Sequence, residues 1–331
     1  MAATRLQSFV PATVAVIGAG AVGSYYGAKL ARAGLDVTLV ARPAHVAAIE
    51  RDGLCVLENG AEWRATLRAS TDSKAASRAD LVLVTVKTPD TAAACSPLAG
   101  SLSPDARIVS LQNGVDNAER IAAVLRNPVY AAVVYVGVQM AGPGRVRHTG
   151  RGDLVIGVPR ALAARGDTEA DLSGIAAMFE KAGISCPRNP DIESALWTKL
   201  TLNCAFNAVS ALGDSPYGRM AQSAPIRDVM ETVVREAVSV ARAGGVGLDA
   251  DAIVAATWKL AAAMPRQYSS TAQDIQRGKA TEIDALNGYV AERAGALGVD
   301  APVNRTLHAL VRLREARREE EPQEGEESER Q

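Results

Sequence analysis

Val14-Ala15-Val16-Ile17-Gly18-Ala19-Gly20-Ala21-Val22-Gly23 is the stretch that decides the fold. Four apolar residues, two of them valine and one isoleucine, read as a short buried strand. A G-x-G-x-x-G turn follows, then a helical pattern to Ala33, with Gly34 in the place of a helix C′ residue. Asp36 to Ala41 (DVTLVA) reads as a second strand. Strand, glycine turn, helix and second strand form the setting in which G-x-G-x-x-G carries meaning. The glycines allow a tight turn and let backbone N–H groups approach a pyrophosphate at a helix N-terminus. Gly18, Ala19, Gly20, Ala21, Val22 and Gly23 are therefore candidates for binding a dinucleotide. A glycine-rich turn without a ligand is the alternative.

The end of the second strand discriminates between the two nicotinamide dinucleotides. An acid there suits a ribose 2′-hydroxyl. This chain has Arg42 instead, with no acid from Thr38 to Val46. A guanidinium has a permanent charge and forked donors that match a 2′-phosphate, so NADP(H) is the expected cofactor. Further along, Leu81 to Val86 (LVLVTV) and Ala106 to Leu111 (ARIVSL) are unbroken apolar runs, as buried parallel strands require. Lys87 follows the first run directly, and Gln112-Asn113-Gly114 the second. Ligands of open α/β sheets bind outside the carboxyl ends of the strands. Lys87 and Asn113 thus join Arg42 as cofactor candidates, with Asn113 also placed to touch substrate. Val129 to Val138 reads as another strand, and the glycine-rich stretch from Gly142 to Gly157 as a hairpin extending the sheet.

The pattern changes near residue 188. Asn189-Pro190-Asp191 reads as a helix start, with Asn as N-cap and Pro at N1. From there to about Arg318 strand signals are few. The expected organisation is a flexible segment 1–10, an α/β domain with a parallel Rossmann-like sheet over 11–187, an all-α domain over 188–318, and a disordered acidic tail over 319–331 (EEEPQEGEESERQ). In the first long helix of the second half, Lys199, Asn203 and Asn207 recur every four residues, drifting by about 40° per step. They form a polar ridge among Leu196, Leu200, Leu202, Phe206 and Val209. Such a ridge is a solvent face or a cleft lining. One lysine and two asparagines are little charge for a solvent face, which favours the cleft. Later, Ser270 with Gln273, and Thr281 with Asp284, read as helix starts, placing Glu282 in a first turn.

Composition narrows the classes. Hydrophobic residues make up 48% and charged residues 22%, values of a globular chain. Thirty-six basic against 37 acidic residues leave a net charge of −1, which supplies no field for nucleic acid or anionic lipid. No apolar run reaches the ~20 residues a bilayer span needs, and residues 1–10 lack the apolar core of a signal peptide. The expectation is a cytoplasmic protein. Cys55, Cys95, Cys186 and Cys204 are scattered, as are His45, His148 and His308, so neither disulfides nor a metal site is expected.

Taken together, GAGAVG, VTLVAR, VTVK, LQNG, LWTKLTLNCAFN, SSTAQD and TEIDALNGYV, in this order, resemble the ketopantoate reductases (2-dehydropantoate 2-reductases) from Val14 to about Arg314. The resemblance implies a Rossmann domain followed by a helical domain, with the active site between them. It implies NADPH-dependent reduction of a small 2-oxo acid, ketopantoate, in pantothenate and coenzyme A synthesis. Gly18 to Gly23, Arg42, Lys87, Asn113 and Glu282 would serve NADPH. Lys199 is similar to the family's proton donor, with Glu282 as its catalytic companion. Asn113, Lys199, Asn203, Asn207 and Ser270 match substrate-binding positions. The segment Gly213 to Gly218 departs from the pattern: it lacks an asparagine that some members use to hold substrate, and Tyr217 stands in that neighbourhood. Two alternatives remain open, a reductase of another 2-oxo acid and a non-catalytic NADP-binding sensor. Helical domains of this type often pair, so a homodimer is the assembly to expect.

Overall fold

The computed structural model describes residues 9–165 and 168–320. Among the described residues nine strands form one sheet: β1 (Thr13–Ile17), β2 (Asp36–Val40), β3 (Leu54–Glu58), β4 (Ala61–Ala65), β5 (Arg68–Ser70), β6 (Leu81–Val84), β7 (Arg107–Ser110), β8 (Val129–Gly142) and β9 (Arg145–Gly157). Their order is β4-β3-β9-β8-β7-β6-β1-β2-β5. From β8 to β5 every neighbouring pair is parallel. The helices are α1 (Ala21–Arg32), α2 (Pro43–Asp52), α3 (Thr91–Cys95), α4 (Asn117–Val124), α5 (Thr168–Lys181), α6 (Ile192–Gly213), α7 (Tyr217–Gln222), α8 (Ala224–Ala243), α9 (Ala250–Ala263), α10 (Ser270–Gln276), α11 (Asn287–Leu297) and α12 (Pro302–Glu320).

The unbroken apolar runs have a simple cause: both faces of the sheet are covered. Val14 and Val16 of β1, with Leu81 and Leu83 of β6, enter a core shared with Tyr26 and Leu30 of α1 and Phe179 of α5. Ala15, Ile17, Val82 and Val84 enter a second core with Ile121 of α4. Alternate side chains of a strand point to opposite faces, so a two-sided strand must be apolar throughout. Asp171 of α5 is buried and accepts hydrogen bonds from Arg107 Nε (2.8 Å) and the Tyr130 hydroxyl (2.5 Å), pinning that helix to β7 and β8.

Several sequence expectations are revised. The stretch from Arg42 to Asp80 carries β3, β4 and β5, which the pattern reading passed over. Asn59 and Gly60 both have positive φ (53° and 77°), the conformation of a two-residue hairpin turn. That Asn-Gly pair was the available signal. Phe9 is not part of a loose N-terminus: it packs against the first core, and the Arg107 guanidinium lies 5.1 Å from its ring centre. Residues 1–8 lie outside the described residues. The helix expected from Asn189 begins at Ile192. Asn189 Oδ1 accepts the Asp191 N–H, and the Asp191 carboxylate takes the Ser194 hydroxyl (2.6 Å), so the capping role passes two residues on. The acidic tail, expected from residue 319, starts inside α12; residues 321–331 lie outside the described residues.

The chain divides into two compact units, Met1–Leu196 and Trp197–Gln331, rather than at residue 188. The first turns of α6 belong to the sheet unit because Ile192 and Leu196 enter its second core. In the helical unit, the fully buried Asn304 joins α8 and α11. Its amide donates to the Val233 carbonyl and Glu236, and its Oδ1 accepts from Asn287 (3.0 Å).

His45 of α2 supports a pH prediction. It is 7% exposed and its Nδ1 accepts the Gly144 N–H (2.8 Å). Nε2 therefore carries the proton and donates to Ser24 (3.0 Å), whose hydroxyl also bonds to the Ala19 carbonyl. Burial holds the imidazole below its ordinary value of 6.5. The unfolded chain thus takes up this proton first as pH falls. The stabilisation is complete above about 6.5 and is lost as pH drops towards the folded value, at up to about 1.4 kcal/mol per pH unit. Urea unfolding between neutral pH and pH ~5 should show this slope, and His45→Gln should flatten it. An identical slope in the variant would refute the assignment to His45.

Candidate active site

The carboxyl ends of four adjacent parallel strands, β7, β6, β1 and β2, carry the residues singled out in the first half of the chain. Gly18 and Ala19 donate backbone N–H bonds to the Val40 carbonyl (3.0 and 2.9 Å), tying the glycine turn to the strand that ends at Arg42. Thr85 donates its hydroxyl to the Gly18 carbonyl (2.9 Å) and its N–H to Ile17, tying the turn to β6 on the other side. Arg42 is exposed at the N-cap of α2, with Pro43 at N1. Lys87 is half-buried and caps a short 3-10 turn.

The loops after β6 and β7 are joined. The Thr88 hydroxyl and the Asn117 amide both donate to the Asn113 carbonyl (3.0 and 2.6 Å). Buried Gln112 donates to the Val86 carbonyl and the Thr91 hydroxyl, and accepts from Ser110. Sequence reading stopped at Asn113 and missed this surrounding frame. The bonds that join the two loops span more than twenty residues, Thr88 to Asn113 and Gln112 to Val86 and Thr91, so no local spacing marks them.

The glycines have distinct duties. A side chain at Gly18 would need φ near its +86°, and its Cβ would lie 2.9 Å from the Val86 nitrogen. At Gly23 it would meet Thr85 Oγ1 and Val16 Cγ1 at 2.4 and 2.8 Å. Gly20 is different. It is exposed, its φ is −76°, and a Cβ would find only the Gly18 carbonyl at 3.9 Å. It caps α1 with no side-chain acceptor for the first-turn N–H groups. That open cradle of donors fits a dinucleotide pyrophosphate. Gly20→Ala should leave thermal stability unchanged and weaken dinucleotide binding at least about tenfold. Gly18→Ala should destabilise the fold by about 2 kcal/mol or more. Calorimetry and dinucleotide titration separate the two; unaltered binding by Gly20→Ala would remove the pyrophosphate from this turn.

In the helical unit, Lys199 and Asn203 lie half-buried on α6 and Asn207 is 2% exposed, so the ridge is not a solvent face. Asn207 Oδ1 accepts three bonds: from the Ser270 hydroxyl (3.0 Å), the Thr271 N–H (3.1 Å) and the Thr271 hydroxyl (2.9 Å). Its Nδ2 donates to the Asn203 carbonyl (2.9 Å). Asn207 therefore holds the start of α10 against α6, and one of its two amide N–H groups lies outside these bonds. Ser269, not Ser270, caps α10, accepting the Ala272 N–H. This frees Ser270 from the capping role that its spacing to Gln273 suggested. Glu282 precedes a 3-10 turn (Ile283–Ala285) leading into α11. That helix packs beside the lysine segment, with Asn287 donating to the Cys204 carbonyl (3.2 Å) and Tyr289 5.9 Å from the Trp197 ring. Cys204 is fully buried, and burial raises its thiol far above the ordinary range, so it is a core residue. Among the described residues no group of three or more His, Cys, Asp or Glu is placed to hold a metal, and no helix is long and apolar enough to cross a membrane.

Comparison with known proteins gives a consistent result. Residues 14–161 match the family described as ketopantoate reductase PanE/ApbA, and residues 191–315 match its C-terminal domain. A 2-dehydropantoate 2-reductase of Halobacterium salinarum is 36% identical over 307 residues, 91% of this chain and 98% of that protein. The crystal structure of a PanE/ApbA family ketopantoate reductase from Ralstonia eutropha JMP134 is 47% identical, with a TM-score of 0.86 over 93% of this chain and 99% of that one. The ternary structure of D-mandelate dehydrogenase with NADH and anilino(oxo)acetate has the same fold (TM-score 0.85, 93% of this chain and 99% of that one) at 23% identity.

Proposed function

The chain belongs to the ketopantoate reductase family, and from that premise we propose that it reduces 2-dehydropantoate to (R)-pantoate with NADPH, with Lys199 delivering the proton. It is an NAD(P)H-dependent oxidoreductase of the ketopantoate reductase type. The observation that carries the cofactor reading is the convergence of the glycine turn, Arg42, Lys87 and Asn113 on four neighbouring strand ends. Gly18 to Gly23 offer backbone donors to the pyrophosphate. Arg42 offers its guanidinium to the 2′-phosphate, and Lys87 its ammonium to phosphate or ribose.

When bound, NADPH supplies the hydride for the carbonyl carbon of the 2-oxo acid. The Lys199 ammonium stands at the carbonyl oxygen, stabilises the charge that develops there and gives up its proton. Glu282 would offset the lysine charge and, as the family resemblance implies, would serve the nicotinamide ribose. Asn203, Asn207 and Ser270 would orient the substrate without bringing in further charge, and Asn113 would serve cofactor and substrate, as the family resemblance implies. We place the protein in the cytoplasm, in pantothenate and coenzyme A synthesis. Four buried unpaired cysteines support a reducing compartment. A homodimer is its assembly in this reading. Leu310 and Leu313 of α12, 44% and 54% exposed, are apolar side chains available to it, and sedimentation would test it.

The test of function is NADPH oxidation followed by absorbance with ketopantoate and a panel of other 2-oxo acids. Ketopantoate should lead by about a hundredfold in kcat/KM, about 2.7 kcal/mol. Preference for another acid would overturn the substrate and the pathway. NADPH binding without turnover of any acid would make the chain a sensor.

A further inference from the structure

Glu282, the proposed companion of Lys199, stands at the head of a 3-10 turn only three residues long. Bonds from α12 support that turn. Glu315, its side chain 12% exposed, accepts the Thr281 N–H at Oε1 (2.7 Å), and its Oε2 accepts from Arg312 (3.1 Å). The Thr281 hydroxyl in turn accepts the Ile283 N–H (3.2 Å). Both chain neighbours of Glu282 are thus bonded through their N–H groups, and both are buried. Peptide units are planar, so holding the units on either side narrows the directions in which the Glu282 side chain can leave the backbone.

The turn is held beyond Glu282 as well. Asp284 accepts a bond from His308 Nε2 (2.6 Å), and Arg312 Nε lies 3.7 Å from the same carboxylate oxygen. His308, Arg312 and Glu315 follow at steps of four and three residues, hence along one face of α12. A Cβ at Gly288 would lie 2.9 Å from the His308 ring, so glycine in α11 leaves room for this approach. Next to Glu315, the Arg314 guanidinium donates to the Ala211 and Leu212 carbonyls in the last turn of α6, to Leu212 at 2.9 Å. Carbonyls of a last turn lack partners within their own helix. One stretch of α12 thus grips both the end of the helix that carries Lys199 and the turn that carries Glu282.

We propose that Glu315 is a positioning residue for the reduction: its bond to the Thr281 N–H sets where the Glu282 carboxylate stands relative to Lys199. The inference rests on the reading of Lys199 and Glu282 as proton donor and companion. Glu315 touches neither substrate nor cofactor in this reading and acts only through the backbone of the turn. Its reach matters more than its charge, because an N–H needs an acceptor at hydrogen-bond distance and not a net charge. Misplacing a group at the chemistry by about 1 Å costs up to about 10²-fold in rate.

The experiment measures kcat, KM for ketopantoate and NADPH affinity in Glu315→Gln and Glu315→Asp, each alone and combined with Glu282→Ala, well below the thermal midpoint of every variant. Glutamine keeps an acceptor at the same reach and gives up the charge. Aspartate keeps the charge and withdraws the acceptor by one methylene. Glu315→Asp should lower kcat about tenfold, with KM and NADPH affinity within about twofold of wild type. Glu315→Gln should keep kcat within about threefold. Added to Glu282→Ala, Glu315→Asp should cost less than about twofold more, because no carboxylate is left to misplace. Wild-type kcat in Glu315→Asp overturns the proposal, as does a greater loss in Glu315→Gln than in Glu315→Asp. So does a full tenfold loss in the Glu282→Ala background, which a merely structural role would give. Each of these leaves the proposed function standing. The reading beneath fails separately, if Glu282→Ala turns over as the wild type does or if the wild type reduces no 2-oxo acid.

Discussion

Lys199→Ala should lower kcat for ketopantoate reduction by about 10³-fold, with NADPH affinity changed less than about twofold. Proton donation and charge stabilisation at the carbonyl oxygen are both lost, and each matters only as the transition state forms. Lys199 stands on α6, whereas the proposed dinucleotide contacts of the first unit sit on strand ends. Binding should therefore survive. Fluorescence titration with NADPH gives the affinity, and stopped-flow absorbance in a single turnover gives the chemical step. The result that would defeat the assignment is weakened NADPH binding with turnover intact at saturation.

Arg42→Ala should raise KM for NADPH by about 10- to 100-fold while changing KM for NADH less than about twofold. The guanidinium is exposed at the head of α2, and its neighbours Pro43 and Ala44 bring no competing charge. A charge-assisted, forked contact to a 2′-phosphate is worth about 1.5–3 kcal/mol, and NADH has no such group to lose. Steady-state kinetics with both dinucleotides reads the difference. Equal weakening of both would move Arg42 away from the ribose and make its effect a general one on α2. The same fold serves a D-mandelate dehydrogenase solved with NADH, so fold alone does not choose the dinucleotide. In the reading proposed above, the choice would lie in Arg42 at the end of β2.

Much of the candidate site was legible because its pieces are local. The glycine turn shows itself by spacing within six residues. Lys87 and Asn113 show themselves by following apolar runs that end abruptly. The ridge of Lys199, Asn203 and Asn207 shows itself by helical period. The edge strands were less legible. β5 is three residues long, and the β3–β4 hairpin carries charged and exposed side chains such as Glu62 and Arg64. Period-two alternation is weak there, and only Asn59-Gly60 marked the turn.

Sequence alone was enough to establish a parallel sheet with a glycine turn after its first strand, an all-helical second half, and a lysine-and-asparagine helix, since backbone sterics and the periods of strand and helix act over a few residues. The tertiary structure alone decided which side chain serves which partner. Asn207 looked equal to Asn203 in the ridge, yet its oxygen is taken up by Ser270 and Thr271, more than sixty residues away. Ile192 and Leu196 looked like the start of the helical domain, yet they complete the core of the sheet. Hydrogen bonds and packing are settled by distance in space, and buried groups must find partners wherever the fold brings them.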